Sequence, residues 1–476
     1  MLFNSFGFLG FFAAVAVLYY VAPHRWRWML LLLASYYFYS TFDLKYLLLL
    51  GFSTIAAYAG ALWIGRGGGK LALTVGVLLQ LSVLFVFKYF DFFAGAIEDA
   101  IMAANVVSEA IALPRLKLLL PAGLSFYVFS AISYLVDVHR GNVPAERHLG
   151  KLGVYIAFFP KLLAGPIERA GSFLTQLNAP VVFNAAGVAA GLQLMAWGLF
   201  KKVVIADRLA VFVDAGFTNP AFQSPMTVII AVYFYAFQIY CDFSGYSDIA
   251  IGAALVLGFR LMENFKRAYL AKSVPEFWNS RWHVSLARWF RDYLYIPLGG
   301  NRVAKWRQYL NVMIVFLVSG LWHGAAWTFI IWGALNGLYQ IIHGLLAAPR
   351  RLFGRMPVWL ASFIAIFVTF HAVALAWVFF RASSVKSAWA VLTKIYGAIP
   401  QLPTLVAGYN WTGEFYLSVG LIGFLMTVEI LDERKPVSAR LLAMPRVFRW
   451  AFYYAIVFAI LVIGVWNTKG FVYMSF

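Results

Sequence analysis

Between Asn311 and Leu346 the chain runs for 36 residues without a Lys, Arg, Asp or Glu. A helix lying on a soluble domain needs a polar face over a comparable length, so this run belongs in an apolar surround. As one straight helix it would extend about 54 Å, far beyond a bilayer core of roughly 30 Å. Basic residues stand at both ends, Arg302, Lys305 and Arg307 before it and Arg350, Arg351 and Arg355 after it. The run therefore reads as a hairpin of two short or broken helices, with its apex near Leu321-Trp322-His323-Gly324.

The rest of the chain repeats this pattern. Of 476 residues, 63% are hydrophobic and 12% charged, against roughly 45–50% and about 25% in soluble domains. That excludes a disordered, collagenous or nucleic-acid-binding tail protein. The expected fold is all-α: one polytopic membrane domain spanning residues 1–476, with about eleven crossings and some broken or re-entrant segments. The formal charge of +19 sits mostly in short connectors, as the positive-inside rule requires. Any excess is available to anionic lipid, coenzyme A or an acidic carrier. Cys241 is the single cysteine, so neither an internal disulfide nor a CxxC site exists.

Phe6–Ala22 has no basic residue before it and His24, Arg25 and Arg27 just after it, the reverse of a secretory signal. It reads as a retained span with its N-terminus outside. Further runs are Trp28–Phe42, Leu44–Gly65, Leu71–Phe87 and Leu119–Val138. Val154–Gly165 is interrupted by Pro160 and Lys161 and followed by Pro166, which fits a broken segment buried in protein. Val188–Leu199, Val228–Ile239, Ile249–Leu257, Val358–Phe379, Phe415–Ile430 and Trp450–Val465 complete the set, with Ser383–Glu414 as an outward loop. The longest polar connector, residues 260–307, carries ten Lys or Arg and three Asp or Glu. Its charge places it in the cytoplasm, and its many aromatics make it amphipathic, lying in the interface.

Among seven histidines, His323 stands out. It lies in Ser319-Gly-Leu-Trp-His-Gly-Ala-Ala-Trp327, flanked by small residues at membrane depth, where an imidazole is costly and usually functional. Catalytic or relay use stands beside a structural hydrogen bond as its explanation. His283, in the connector, reads by itself as an interfacial residue. Asp242, Ser244, Ser247 and Asp248 fall between two apolar runs, where they either cap a helix or line a polar cavity. No metal site is expected, since no two histidines fall at helical ligand spacing and no Cys/His cluster exists.

Several motifs together resemble the membrane-bound O-acyltransferase family. They are Asp242-Phe-Ser-Gly-Tyr-Ser-Asp-Ile-Ala-Ile-Gly252, Gly258-Phe-Arg-Leu-Met-Glu-Asn-Phe265, Phe277-Trp-Asn-Ser-Arg-Trp-His283, Arg291-Asp-Tyr-Leu-Tyr-Ile-Pro-Leu-Gly-Gly-Asn301 and Gly320-Leu-Trp-His-Gly324. Supporting matches include Pro121-Ala-Gly-Leu-Ser-Phe-Tyr127, Phe159-Pro-Lys-Leu-Leu-Ala-Gly-Pro166 and the aromatic C-terminus Phe471–Phe476. The likeness is greatest to the branch containing the membrane subunit of bacterial alginate O-acetylation. In place of the family's usual Phe-Trp-Arg-Arg-Trp-His, this chain has Asn279 and Ser280 at or beside the polar pair.

The resemblance implies a helical acyltransferase with a funnel or tunnel through the bilayer, His323 as the catalytic histidine and His283 as the second histidine of the branch. Transfer from a thioester to a hydroxyl needs a base, and burial among Trp322, Trp327 and small residues would keep His323 neutral for that role. Acetyl-CoA or another acyl thioester is the expected donor, with no tightly bound cofactor. Arg288 and Arg291 offer cations for its phosphates, and Trp322, Trp327, Asp242 and Ser244 are further substrate-binding candidates. Family likeness also implies a periplasmic, SGNH-hydrolase-like partner that acetylates an exported polysaccharide, with the protein in the bacterial inner membrane. The rivals are a polysaccharide-export or solute transporter and a non-catalytic scaffold of an envelope complex.

Overall fold

The computed structural model describes residues 1–104, 112–346, 356–466 and 470–471. The basic flank Arg350, Arg351 and Arg355, and residues 472–476 of the aromatic C-terminus, lie outside the described residues. Every regular element among the described residues is helical. The N-terminal half comprises α1 (Phe6–Val21), α2 (His24–Ser40), α3 (Tyr46–Trp63), α4 (Gly69–Leu84), α5 (Phe90–Ala103), α6 (Leu124–His139), α7 (Leu149–Ala157) and α8 (Ala170–Asn178). The middle holds α9 (Ala185–Leu199), α10 (Asp207–Phe217), α11 (Pro225–Val256), α12 (Val274–Glu276) and α13 (Val284–Phe290). Then come α14 (Lys305–His323), α15 (Trp327–Leu345), α16 (Val358–Arg381), α17 (Val385–Ala398), α18 (Leu402–Gly408), α19 (Gly413–Arg434), α20 (Val437–Ala443) and α21 (Arg446–Val462).

Against the eleven or so crossings expected, five helical stretches among the described residues are long and apolar enough to span a bilayer: 46–103, 185–217, 225–256, 358–381 and 413–434. The shortfall has a physical source. Helices α1 and α6 are apolar but have only 16 residues each, about 24 Å of rise, and the 46–103 stretch is a folded path rather than one rod. It reverses at Gly67, whose φ of +95° only glycine adopts readily, so α3 and α4 pair side by side. The two runs expected at Val228–Ile239 and Ile249–Leu257 fuse into the single 32-residue α11. Ser383–Glu414 is not a plain loop, since it folds as α17 and α18. Val154–Gly165 does break, α7 ending at Ala157, and its turn residues Phe158–Gly165 are buried.

Close helix crossings hold the body together. Helices α9 and α11 meet through Gly191 against Gly252 and Gly198 against Gly245, where an added Cβ on Gly198 would lie 2.5 Å from the Gly245 carbonyl. In each helix the glycines are seven residues apart, two turns along one face, and small residues let backbones approach where lipid supplies no hydrophobic drive. The connector 260–307 differs most from expectation. Tyr269, Phe277, Trp278, Trp282, Trp289 and Phe290 are all buried, so its aromatic side folds into the protein instead of lying in the lipid interface, while Trp306 remains exposed.

Candidate active site

The uncharged run breaks where its length requires. Helix α14 ends at His323, three residues turn, and α15 begins at Trp327. The two legs cross at Gly320 and Gly333; a Cβ on Gly320 would sit 2.3 Å from the Phe329 carbonyl, and one on Gly333 2.3 Å from that of Phe316. Only glycine permits this contact. The crossing lies about one turn before His323, so the break follows directly after that residue.

His323 is 4% exposed and walled by aromatics: ring centroids lie 4.9 Å away for Trp322, 5.0 Å for Trp332 and 5.2 Å for Phe380. Trp332 and Phe380 come from α15 and α16. Trp327 is not part of this wall, being 52% exposed and packed on Phe92. The helix restart turns it away, and Trp332, five residues on, takes the place expected of it.

His283 arrives from the connector. It is 2% exposed and packs on Phe243 of α11 at 4.7 Å, Phe126 of α6 at 6.1 Å and Trp322 at 6.0 Å. Both histidines therefore border the same indole, which the sequence separates by 39 positions in one case and adjoins in the other. His283 has φ +43°, an uncommon conformation for any residue but glycine and one that concentrates at functional sites. Asn264 holds the chain in it: its carbonyl accepts from Val284 N at 3.0 Å and its Oδ1 from Ser285 Oγ at 2.9 Å, while its Nδ2 donates to Ser247 Oγ at 3.1 Å. The preceding π-helical turn, Phe277–Arg281, is clamped by Arg281 to Glu276 at 2.7 Å and to Glu433 at 2.8 Å.

The remaining candidates lie elsewhere. Asp242 and Ser244 cap nothing; they occupy the middle of α11 and face lysines. Lys202 reaches Asp242 at 2.6 Å and Asp207 at 2.8 Å, and Lys201 reaches Asp248 at 2.7 Å and Ser244 Oγ at 2.9 Å. Both lysines sit on the π-helical turn Phe200–Ala206. Arg288 is exposed, and Arg291, its side chain 60% exposed, pairs with Asp292 at 2.8 Å. Other connector cations are engaged, Arg267 with Asp432 at 2.5 Å and with Glu433 at 2.6 Å.

Residues 31–385 match the family model described as MBOAT, membrane-bound O-acyltransferase family. The chain belongs to that family. The probable alginate O-acetylase AlgI of Azotobacter vinelandii is 40% identical over 407 residues, covering 83% of this chain and 78% of the relative. A peptidoglycan O-acetyltransferase of Helicobacter pylori is 37% identical over 82% of this chain and 77% of its own. A teichoic acid D-alanyltransferase of Bacillus subtilis is 25% identical over 53% and 66%. The protein is thus a multi-pass membrane O-acyltransferase, which sets aside the transporter and scaffold alternatives. Sequence reasoning missed Asn264, Trp332 and Phe380. Asn264 stood inside a quoted motif, but nothing in its spacing said that it would pin His283.

Proposed function

We propose that the protein moves an acetyl group from a cytoplasmic thioester, acetyl-CoA or a carrier-bound equivalent, to a hydroxyl presented from the other side of the membrane. The observation that carries this is His323, buried at a helix break inside the longest uncharged run of a member of an O-acyltransferase family. In the reaction the acceptor hydroxyl attacks the thioester carbonyl carbon while the His323 imidazole takes its proton. Collapse of the tetrahedral intermediate breaks the C–S bond, and the imidazolium returns the proton to the leaving thiolate. His283, across the Trp322 indole, orients the thioester. Trp322 packs along the acyl path, and Arg288 and Arg291 meet the donor's phosphates at the surface.

On this reading two openings of a funnel converge on His323, so only the acyl group crosses. The acceptor is an exopolysaccharide reached through a periplasmic SGNH-hydrolase-like partner, in a bacterial inner membrane with the N-terminus outside. The O-acetyl chemistry named for the AlgI and Helicobacter relatives supports acetyl as the acyl group.

Purified protein incubated with radiolabelled acetyl-CoA tests the chemistry: loss of thioester that disappears in His323→Ala is expected, and an equal rate in that variant would sink it. Orientation is read separately. In a Cys241→Ser background, cysteines replacing Lys272 and Lys305 should react with an impermeant reagent in inverted vesicles alone, and labelling from the periplasmic side of intact cells would overturn the direction of transfer.

A further inference from the structure

Between α4 and α5 the chain makes a π-helical turn, Phe85–Tyr89, which carries Lys88. Its Nζ donates to the Trp322 carbonyl at 2.5 Å and to the His323 carbonyl at 3.2 Å, and lies 5.9 Å from the centre of the Trp322 ring. These carbonyls end α14, where a helix leaves its last acceptors without intrahelical donors and a lysine can supply them. They also have a particular place in the covalent chain. The Trp322 carbonyl belongs to the peptide unit entering the His323 Cα, and the His323 carbonyl to the unit leaving it. One amino group thus holds the two peptide planes whose orientations set the direction of the His323 Cα–Cβ bond.

We propose that Lys88 is a positioning residue for His323. The inference rests on the reading of His323 as the base, and adds that the imidazole's aim is set from a π turn more than two hundred residues away in sequence. Loss of the tether would let the α14 terminus fray into the break at Gly324, where the chain is already extended, with φ −163° and ψ 147°. A displacement of about 1 Å in a reacting group costs on the order of 100-fold in rate.

The test uses full-length protein, with kcat and donor KM read from thioester consumption. Lys88→Met keeps the side-chain length and removes the donors; kcat should fall 10- to 100-fold with KM within twofold of wild type. Lys88→Arg restores donors and should recover kcat to within tenfold. A folded Lys88→Met with wild-type kcat, or one losing KM and kcat alike, overturns the proposal. If Lys88→Met does not fold, Lys88→Arg decides: a folded, active variant supports the tether. Failure of both to fold, or a folded Lys88→Arg as dead as His323→Ala, refutes it. His323→Ala run alongside separates the two claims, because full activity there removes the base itself whatever Lys88 does.

Discussion

Two polar clusters lie inside the helical body, and they are built in opposite ways. Around His323 the backbone is broken, the walls are aromatic, and two imidazoles from distant segments meet with the Lys88 amino group at the end of α14. Around Lys202 the helices α9 and α10 continue on either side of a π turn, and lysines meet aspartates of α10 and α11: Asp207 and Asp242 on Lys202, Asp248 on Lys201. Phe471, near the end of the described chain, covers Lys202 with its ring centre 4.5 Å from the nitrogen. Both clusters are expensive in an apolar surround. The difference is that in the lysine–aspartate cluster two lysines meet three aspartates across separate helices and so tie those helices together, whereas the histidine cluster gathers two imidazoles beside a helix break.

That contrast is open to direct attack. The largest effect is expected for His323→Ala, a loss of transfer of roughly 100- to 10,000-fold with thermal unfolding in detergent unchanged; His283→Ala should lose less, and a dead His283→Ala beside an active His323→Ala would relocate the base. Lys202→Met leaves Asp207 and Asp242 facing each other and should cost about 3–5 kcal/mol of stability, read as a lower unfolding temperature with near-normal activity in the molecules that remain folded. A Lys202→Met protein that is stable but inactive would erase the distinction between the clusters. Gly320→Ala pushes a methyl against the Phe329 carbonyl, so a destabilisation of about 1–3 kcal/mol together with reduced kcat is expected; wild-type behaviour in both would show that the crossing does not set the His323 break. Smallest, replacing Arg288 and Arg291 by Gln should raise donor KM about threefold, and added salt should raise the wild-type KM in the same direction. Indifference to both would leave the connector's charge as topology alone.

Much of this was legible along the chain, and some was not. The 36 uncharged residues announce a hairpin because length and bilayer thickness are arithmetic, and the break falls within three residues of the expected apex. The polar residues of α11 were ambiguous for an equally simple reason. Capping and ion pairing use the same Asp and Ser, and the deciding partners, Lys201 and Lys202, lie some forty positions away across a glycine-lined crossing. Trp327 and Trp332 look alike on paper; the restart of α15 turned one toward Phe92 and the other toward His323.

By itself, the sequence determined that the chain is helical, that it lies in a membrane and that it carries a histidine at a break in its longest apolar run, because hydropathy, charge spacing and rise per residue are local quantities. Only the tertiary structure decided that the basic connector folds inward with His283, that Trp332 and Phe380 wall the site, that Asp242 is spent on a lysine and that Lys88 reaches the end of α14. Each of those depends on which side chains meet across separate helices. A contact of that kind is fixed by π turns, glycine crossings and left-handed residues such as His283, whose effect on direction accumulates over whole helices and leaves no periodic signature in the chain.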